Sequence, residues 1–388
     1  METIISQRIP YSKIRVMVDA AQKLEAEGKR VIHLEIGRPD YNTPDNVVNA
    51  AIDALKAGKV HYAPNAGIPE LRKAICKKYS QRYNYICDYA TEVLVTNGVA
   101  EGIYLALGAL LNPGDQVLVP DPAWINYEIV PLMGLQEPIK YSLKKENNYL
   151  PDIEEIESKI TSRTKMIMLV NPSNPTGMVF SKEILLNIVK LAQKYNLIIV
   201  ADEIYEDIVY KPVEFTSMAN FEEIRDRLII LNGFSKSYSM TGWRVGYAVG
   251  PSKMINVMLR LHQYTITSTT TFAQWGALDA LEGTQQPRID MLKEFEKRKD
   301  FIYNSINEIP NLSCQKPDGA FYLFVSVKEL GMDGYTAADI LLNEYGVVTV
   351  PGESFGKEGT GYIRLSYASS MENLIEAVDK LKAFVHNV

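Results

Sequence analysis

From about residue 90 onward, short apolar runs alternate with longer segments of helical period. Each run is nearly continuous in apolar residues, which is typical of a strand buried on both faces of a parallel sheet. The alternation therefore predicts an α/β fold, with a mostly parallel central sheet flanked by helices. The predicted strands are Val93–Thr96, Val117–Val119, Met166–Val170, Leu197–Ala201, Leu228–Leu231 and Val245–Val249.

The pattern changes near residue 286, where a charged helical segment begins. Three further strands are predicted after it, at Phe321–Val325, Val347–Val350 and Ile363–Tyr367. A chain of 388 residues exceeds the usual size of one hydrophobic core, so we expect two domains. The predicted large α/β domain covers 48–285, and a smaller α+β domain covers 286–388. Residues 1–47 form an N-terminal arm that joins the small domain or reaches a neighbouring subunit.

Composition excludes several classes of function. The 47 acidic and 41 basic residues give a net charge of −6 without a basic stripe, so nucleic acid is not an expected partner. The three cysteines form no CxxC pair, which argues against a metal site and favours reduced thiols in the cytoplasm. No signal peptide is recognisable, and no run approaches the ~18 apolar residues of a membrane helix.

Reactive polar groups follow three successive predicted strands. The segments are Asn171–Gly177, Asp202–Tyr205 and Asn232–Lys236. Singly, each has an ordinary explanation as a turn, a helix cap or a surface lysine. Ligands of open α/β sheets collect at the carboxyl ends of the strands, so the three segments together predict a binding site there.

Four segments resemble the core of class I aminotransferases of fold type I, the aspartate aminotransferase group. They are Asn171–Gly177, Asp202–Tyr205, Ser235-Lys236 and Thr241–Tyr247. The resemblance extends over nearly the whole chain, from Gly37–Asp40 to Arg364–Tyr367. It implies a pyridoxal-phosphate-dependent aminotransferase that moves an amino group between an amino acid and a 2-oxo acid in a ping-pong reaction.

The resemblance implies roles around the cofactor ring. Lys236 would hold pyridoxal phosphate as a Schiff base and then act as the general base. Asp202 would face the pyridine nitrogen and keep it protonated. Asn174 and Tyr205 match the positions that hydrogen-bond the phenolic oxygen, and Trp124 matches the aromatic that stacks on the ring.

A phosphate site is implied as well, because a helix start and a cation suit a dianion. Its expected members are Gly98, Val99, Ala100, Ser235 and Arg244. Tyr62 matches the family tyrosine that reaches the phosphate of a neighbouring subunit. The resemblance thus implies a homodimer with shared active sites.

Substrate recognition would centre on Arg364, whose planar guanidinium suits the α-carboxylate of an amino acid. Gly37 and Asn174 are expected to assist it. Acidic or aromatic amino acids, with 2-oxoglutarate as acceptor, are the predicted substrates.

Two positions depart from the family pattern. Gly233 stands where many relatives carry a hydroxyl side chain that contacts the phosphate. Ala100 stands where bacterial aspartate-directed relatives often place a lysine that meets the distal carboxylate. Arg38 and Arg15 are candidate replacements for that lysine, and Ser268-Thr269 of a second subunit could line the same pocket.

Three rival functions compete with this interpretation. Gly352–Gly356 fits the GxSxG pattern of serine hydrolases, but a loop sequence follows it and the only later histidine is His386. A lyase acting on cysteine conjugates would use the same cofactor. A non-catalytic regulator on this fold would usually carry an extra DNA-binding segment.

The resemblance also predicts two backbone features. The Asp121-Pro122 and Asn174-Pro175 bonds are expected to be cis, which would hold Trp124 and Asn174 against the cofactor. Trans bonds at both positions would contradict this prediction.

Overall fold

The computed structural model describes residues 3–11 and 13–388. Strands within these residues form three sheets, of seven, four and two strands. In chain order the strands are β1 (Ile32–His33), β2 (Val93–Thr96), β3 (Gln116–Asp121), β4 (Glu137–Ser142), β5 (Thr164–Val170), β6 (Ile198–Asp202), β7 (Leu228–Gly233), β8 (Gly246–Val249), β9 (Ser313–Cys314), β10 (Tyr322–Ser326), β11 (Val347–Val348), β12 (Val350–Pro351) and β13 (Tyr362–Ser366).

The central sheet has the strand order β2-β8-β7-β6-β5-β3-β4. Its pairs are parallel except for those of β8, which runs antiparallel to β2 and β7. All six strands predicted from the apolar runs are present, so the α/β fold with a mostly parallel sheet is confirmed. Sequence patterning missed β4, an edge strand whose residues are mostly half-exposed and which lacks a continuous apolar run.

Helices cover the faces of this sheet and fill the remaining layers. They are α1 (Ile4–Arg8), α2 (Lys13–Ala26), α3 (Asp45–Lys56), α4 (Pro69–Tyr83), α5 (Gly98–Leu110), α6 (Asn126–Met133), α7 (Ile153–Ser158), α8 (Lys182–Tyr195), α9 (Ser252–Thr265), α10 (Thr271–Glu282), α11 (Gln286–Asn307), α12 (Gly334–Tyr345) and α13 (Met371–Asn387). Among the described residues, no helix is long and apolar enough to cross a membrane.

Alternate residues of the central strands other than β4 enter different hydrophobic clusters. In β6, for example, Ile199 and Ala201 pack into one cluster and Val200 into the other. Burial on both faces explains why the strand sequences are continuously apolar rather than alternating. The polar residues that follow each strand are then the first groups able to face a cavity at the sheet edge.

The C-terminal part of the chain builds a four-stranded antiparallel sheet in the order β12-β13-β10-β9. The single strand predicted at Val347–Val350 is wrong, because two separate strands form there. β11 pairs in parallel with β1, whereas β12 pairs with β13. The domain limits at 47/48 and 285/286 stay a prediction.

Both expected cis bonds are present, at Asp121-Pro122 and Asn174-Pro175. The bonds before Pro172 and Pro212 are cis as well, which was not predicted.

His33, at the end of β1, joins two separate parts of the N-terminal segment. Its Nδ1 lies 2.8 Å from Glu35 Oε1 and its Nε2 lies 3.1 Å from Glu25 Oε1 in α2. The hydrogen bond to Glu35 raises the pKa of His33 to about 9, with burial opposing it. The imidazolium is thus the favoured form in the folded chain.

This arrangement predicts a pH-dependent stability. Because the pKa of His33 is higher in the folded chain, protonated His33 stabilises the fold. This stabilisation is fully present below the pKa of the unfolded chain, about 6.5, and is lost as the pH rises through about 9. We expect His33→Gln to destabilise the chain by about 2 kcal/mol at pH 6 and by much less at pH 10. Denaturant unfolding at both pH values measures this, and an equal loss at both would contradict it.

Candidate active site

A cavity of about 630 Å³ opens at the carboxyl ends of β5, β6 and β7. The central sheet forms one wall, and residues of β10, β13 and the N-terminal segment form the other. Most of the residues predicted for the site line this cavity. They are Gly37, Val99, Ala100, Trp124, Asn174, Asp202, Tyr205, Ser235, Lys236, Arg244 and Arg364.

Four of the named residues do not line the cavity. Gly98 lies immediately behind it, at the start of α5. Tyr62 is 88% exposed and projects elsewhere, so its contact with a neighbouring subunit stays a prediction. Ser268 and Thr269 also lie outside the cavity lining, and Thr269 is buried against the backbone of Val95.

Lys236 follows β7 and points into the cavity. Its Nζ donates a hydrogen bond to the carbonyl oxygen of Gly37. Burial lowers the pKa of Lys236 to about 8, and the charge of Arg364 acts in the same direction while Asp202 opposes it. A substantial fraction of the amine is therefore neutral near physiological pH, which a nucleophile requires.

Asp202 is the last residue of β6 and is 2% exposed. Its Oδ2 accepts a hydrogen bond of 2.7 Å from the Tyr127 hydroxyl, and Oδ1 accepts one of 3.1 Å from the Ile204 N–H. Burial raises the pKa of Asp202 to about 6, against these hydrogen bonds and the charge of Lys236. Sequence reasoning missed Tyr127, because a tyrosine within a helical segment carries no local sign of this contact.

Tyr322 is a second missed residue. Its hydroxyl lies 2.8 Å from the Tyr205 hydroxyl, and a Cβ added at Gly37 would lie 2.7 Å from the same oxygen. The absence of a side chain at Gly37 therefore leaves room for the Tyr322 hydroxyl on the cavity wall. Tyr322 stood within a predicted apolar strand, where it looked like a core residue.

Arg364 lies on β13 and is 3% exposed. Its Nη1 donates a 3.1 Å hydrogen bond to Asn174 Oδ1, and its Nη2 donates to the carbonyl oxygen of Glu35. Within the described chain its Nε is buried without a hydrogen-bond partner. Burial lowers the pKa of Arg364. A desolvated guanidinium with a free donor is a strong receptor for a carboxylate.

A cradle of backbone N–H groups lies beside Arg244 where α5 begins. The first backbone N–H groups of a helix have no internal partners and attract negative charge. Arg244, in a left-handed conformation with φ 57°, lies beside this helix start and donates to the Thr241 carbonyl at 2.9 Å. A Cβ at Gly246 would lie 2.8 Å from the Val99 nitrogen, so only glycine lets the two segments meet.

A side chain at Gly233, where many relatives carry a hydroxyl, would pack tightly in this structure. A Cβ at Gly233 would lie 3.0 Å from both the Gly246 Cα and the Val245 carbonyl oxygen. The close packing of β7 on β8 thus favours a small residue at this position.

Arg15 and Arg38 both line the cavity and are exposed. Ala100 lies on the same cavity wall and offers no charge. Two exposed cationic side chains therefore line the same cavity as Ala100.

Residues 29–381 match the family model for aminotransferase class I and II. The chain belongs to this family. It is 42% identical over 357 residues to the probable aspartate aminotransferase of Methanocaldococcus jannaschii, covering 90% of this chain and 92% of that protein. It is 39% identical over 376 residues to the aspartate aminotransferase of Pyrococcus horikoshii, covering 96% and 94%. The chain is therefore a transaminase.

A solved structure agrees with this assignment. The aspartate aminotransferase of Thermotoga maritima superposes with a TM-score of 0.94 at 37% identity, covering 99% of this chain and all of the other. The serine-hydrolase alternative is wrong on two counts. The family is that of aminotransferases, and Ser354 is buried away from the cavity lining.

The need for glycine at position 98, beside Arg244, can be tested by substitution. Gly98 has φ +73°, and an added Cβ would lie 2.5 Å from Arg244 Nη2. We expect Gly98→Ala to displace Arg244 and weaken the binding of pyridoxal phosphate about tenfold. Gly58→Ala is the matched control, because Gly58 has φ +72° but open space around it. Equal affinities of the two variants in a fluorescence titration would contradict the prediction.

Proposed function

We propose that the chain is a pyridoxal-phosphate-dependent aminotransferase that works by a ping-pong reaction. An L-amino acid, acidic or aromatic, would be the donor and a 2-oxo acid such as 2-oxoglutarate the acceptor. The observation that carries the proposal is the pair of buried groups in one cavity, the Lys236 amine and the Asp202 carboxylate. Family membership supports the same cofactor.

The residues present fit the proposed cofactor. The start of α5, with Gly98, Val99 and Ala100, would hold the phosphate together with Ser235 and Arg244. A Cβ at Gly98 would fill this cradle, which supports an anion site there. When bound, pyridoxal phosphate supplies an electron sink for the α-carbon of the substrate.

Residues of the same cavity would also contact the pyridine ring of the cofactor. Asp202, held by Tyr127 and by the N–H of Ile204, would keep a proton on the pyridine nitrogen because an opposite charge raises the pKa of that nitrogen. Trp124 would stack on the ring, and Asn174 and Tyr205 would face its phenolic oxygen.

Lys236 would carry the proton of the reaction at Nζ. A pKa of about 8 allows this amine both to accept a proton from the substrate α-carbon and to return it. The Gly37 carbonyl, which accepts a hydrogen bond from Nζ, limits the positions open to the amine.

Arg364 would bind the α-carboxylate of the substrate, with Asn174 and Gly37 beside it. The buried, unpartnered Nε supports a second hydrogen bond to such a carboxylate. Arg15 and Arg38 would meet the distal carboxylate of an acidic substrate, in place of a lysine at position 100. Two relatives named for aspartate support an acidic donor.

A homodimer with shared active sites remains part of the proposal. The exposed ring of Tyr62 supports it, because a large aromatic surface open to water is costly without a partner. The cytoplasmic location inferred from the sequence stays a prediction.

Lys236 gives the principal test. We expect Lys236→Ala to lower turnover by about 10³-fold or more and to remove the visible absorbance of lysine-bound cofactor. Lys165→Ala is the control, since the side chain of this lysine is exposed and its Nζ donates to the Ser162 carbonyl. Turnover near the normal rate in Lys236→Ala would refute the proposed function.

Substrate preference gives a second test. We expect Arg38→Ala and Arg15→Ala to raise the KM for L-aspartate about fivefold, with a smaller change for L-phenylalanine, because only aspartate has a distal carboxylate. Steady-state kinetics with a panel of amino donors measures this. Unchanged aspartate kinetics in both variants would exclude the two arginines. Pyruvate release from a β-substituted amino acid without an oxo-acid acceptor would favour the lyase instead.

A further inference from the structure

The GxSxG-like segment Gly352–Gly356 has a structural role next to the cavity. It forms a short helical turn, Gly352–Phe355, that leads back toward the end of β3. There the Asp121 carboxylate accepts two hydrogen bonds of 3.1 Å, from the backbone N–H groups of Lys357 and Glu358. Asp121 is 3% exposed, so these bonds are shielded from water.

Gly356 allows this close approach. It has φ +129°, and an added Cβ would lie 2.1 Å from Asp121 Oδ1. The chain therefore passes directly over the carboxylate. Phe355 precedes Gly356, and its carbonyl oxygen accepts a 2.8 Å hydrogen bond from the Ala123 N–H. Three hydrogen bonds thus fasten the segment 355–358 to the segment 121–123.

Phe355 is the residue that this fastening holds in place. Its side chain is 2% exposed, and its ring centroid lies 4.9 Å from the Cζ of Arg364. The ring of Tyr322 lies 4.4 Å from the same carbon. Aromatic contact restricts the guanidinium and stabilises its charge in a buried setting. The orientation of the Arg364 guanidinium therefore depends on the position of the Phe355 ring.

We propose that Asp121 is a positioning residue for carboxylate binding, which acts by holding Phe355 against the guanidinium of Arg364. The inference rests on the proposed role of Arg364 as the carboxylate anchor. Asp121 is well suited to the task because it ends β3, which is paired on both sides, with β4 and β5. The Leu143 N–H also donates to its carbonyl oxygen at 2.7 Å.

Charge matters at this position. A carboxylate can accept both backbone N–H groups, whereas an asparagine side chain presents an acceptor to one and a donor to the other. Lys140 Nζ lies 3.8 Å from Asp121 Oδ2 and compensates the buried charge. Burial raises the pKa of Asp121, with Lys140 and the two N–H groups opposing it.

The same short segment serves both halves of the cavity. Trp124, expected on the cofactor ring, lies three residues after Asp121 on the cavity wall. Asp121 therefore links the segment that bears Trp124 to the segment that positions Arg364. Disturbing it would affect how substrate is held more than how cofactor is bound, since the phosphate cradle lies on α5.

The test compares Asp121→Asn and Phe355→Leu with the control Glu358→Gln. The control keeps the Glu358 backbone N–H and changes only a side chain that accepts from Ser142 Oγ. We expect both test variants to raise the KM for L-aspartate and the inhibition constant of succinate about tenfold, with kcat within about twofold. The double variant should lose little more than either single one, because both act on one contact.

The affinity for pyridoxal phosphate should change much less than the succinate constant in all these variants, because the phosphate cradle lies on α5. A lower thermal midpoint without any change in KM or in the succinate constant would overturn the proposal. An Arg364→Lys variant distinguishes the anchor role of Arg364 from the positioning role of Asp121. If Arg364→Lys weakens succinate binding while Asp121→Asn does not, the positioning role alone fails. If Arg364→Lys binds succinate normally, the anchor assignment fails, and the role of Asp121 fails with it.

Discussion

The register of three parallel strands determines the chemistry of this molecule. β5, β6 and β7 pair so that Val170 lies opposite Asp202, and Asp202 opposite Leu231. The ladder continues past the strand ends, because the Asn171 N–H donates to the Asp202 carbonyl at 3.0 Å. A shift of one residue in β6 would turn Asp202 to the other face of the sheet and Glu203 toward the cavity. Such a shift would also exchange the side chains that pack into the two hydrophobic clusters, which close packing opposes.

Burial then sets the charge states of the side chains that line the cavity at this edge of the sheet. The amine of Lys236 loses basicity, the carboxyl of Asp202 loses acidity, and Arg364 keeps its charge between aromatic rings. Each shift costs stability, since the charged forms are less well solvated than in water. Hydrogen bonds from Tyr127 and to Gly37 offset part of that cost. A ligand of complementary charge that binds in the cavity would therefore offset part of this desolvation cost.

Sequence patterning could predict those parts of the site that depend on local order along the chain. Asp202 was found because it directly follows an apolar run, and Lys236 because it ends the short polar segment after the next run. Such runs have few alternatives to a buried strand. Tyr127 and Tyr322 were not found, because their contacts join residues that are distant in the chain. The same holds for Asp121, whose two donors come from the far end of the sequence. Long-range contacts leave no periodic signal.

The parallel pairing of β1 with β11 has a consequence for biosynthesis. It joins residues near the start of the chain to residues near its end, and such distant pairings form slowly because a long loop must close first. Glu35 and Gly37 follow β1 and contact Arg364 and Lys236. The ribosome must therefore release almost the entire chain before these contacts can exist. The lysine and the carboxylate anchor thus both depend on contacts that only a nearly finished chain can make.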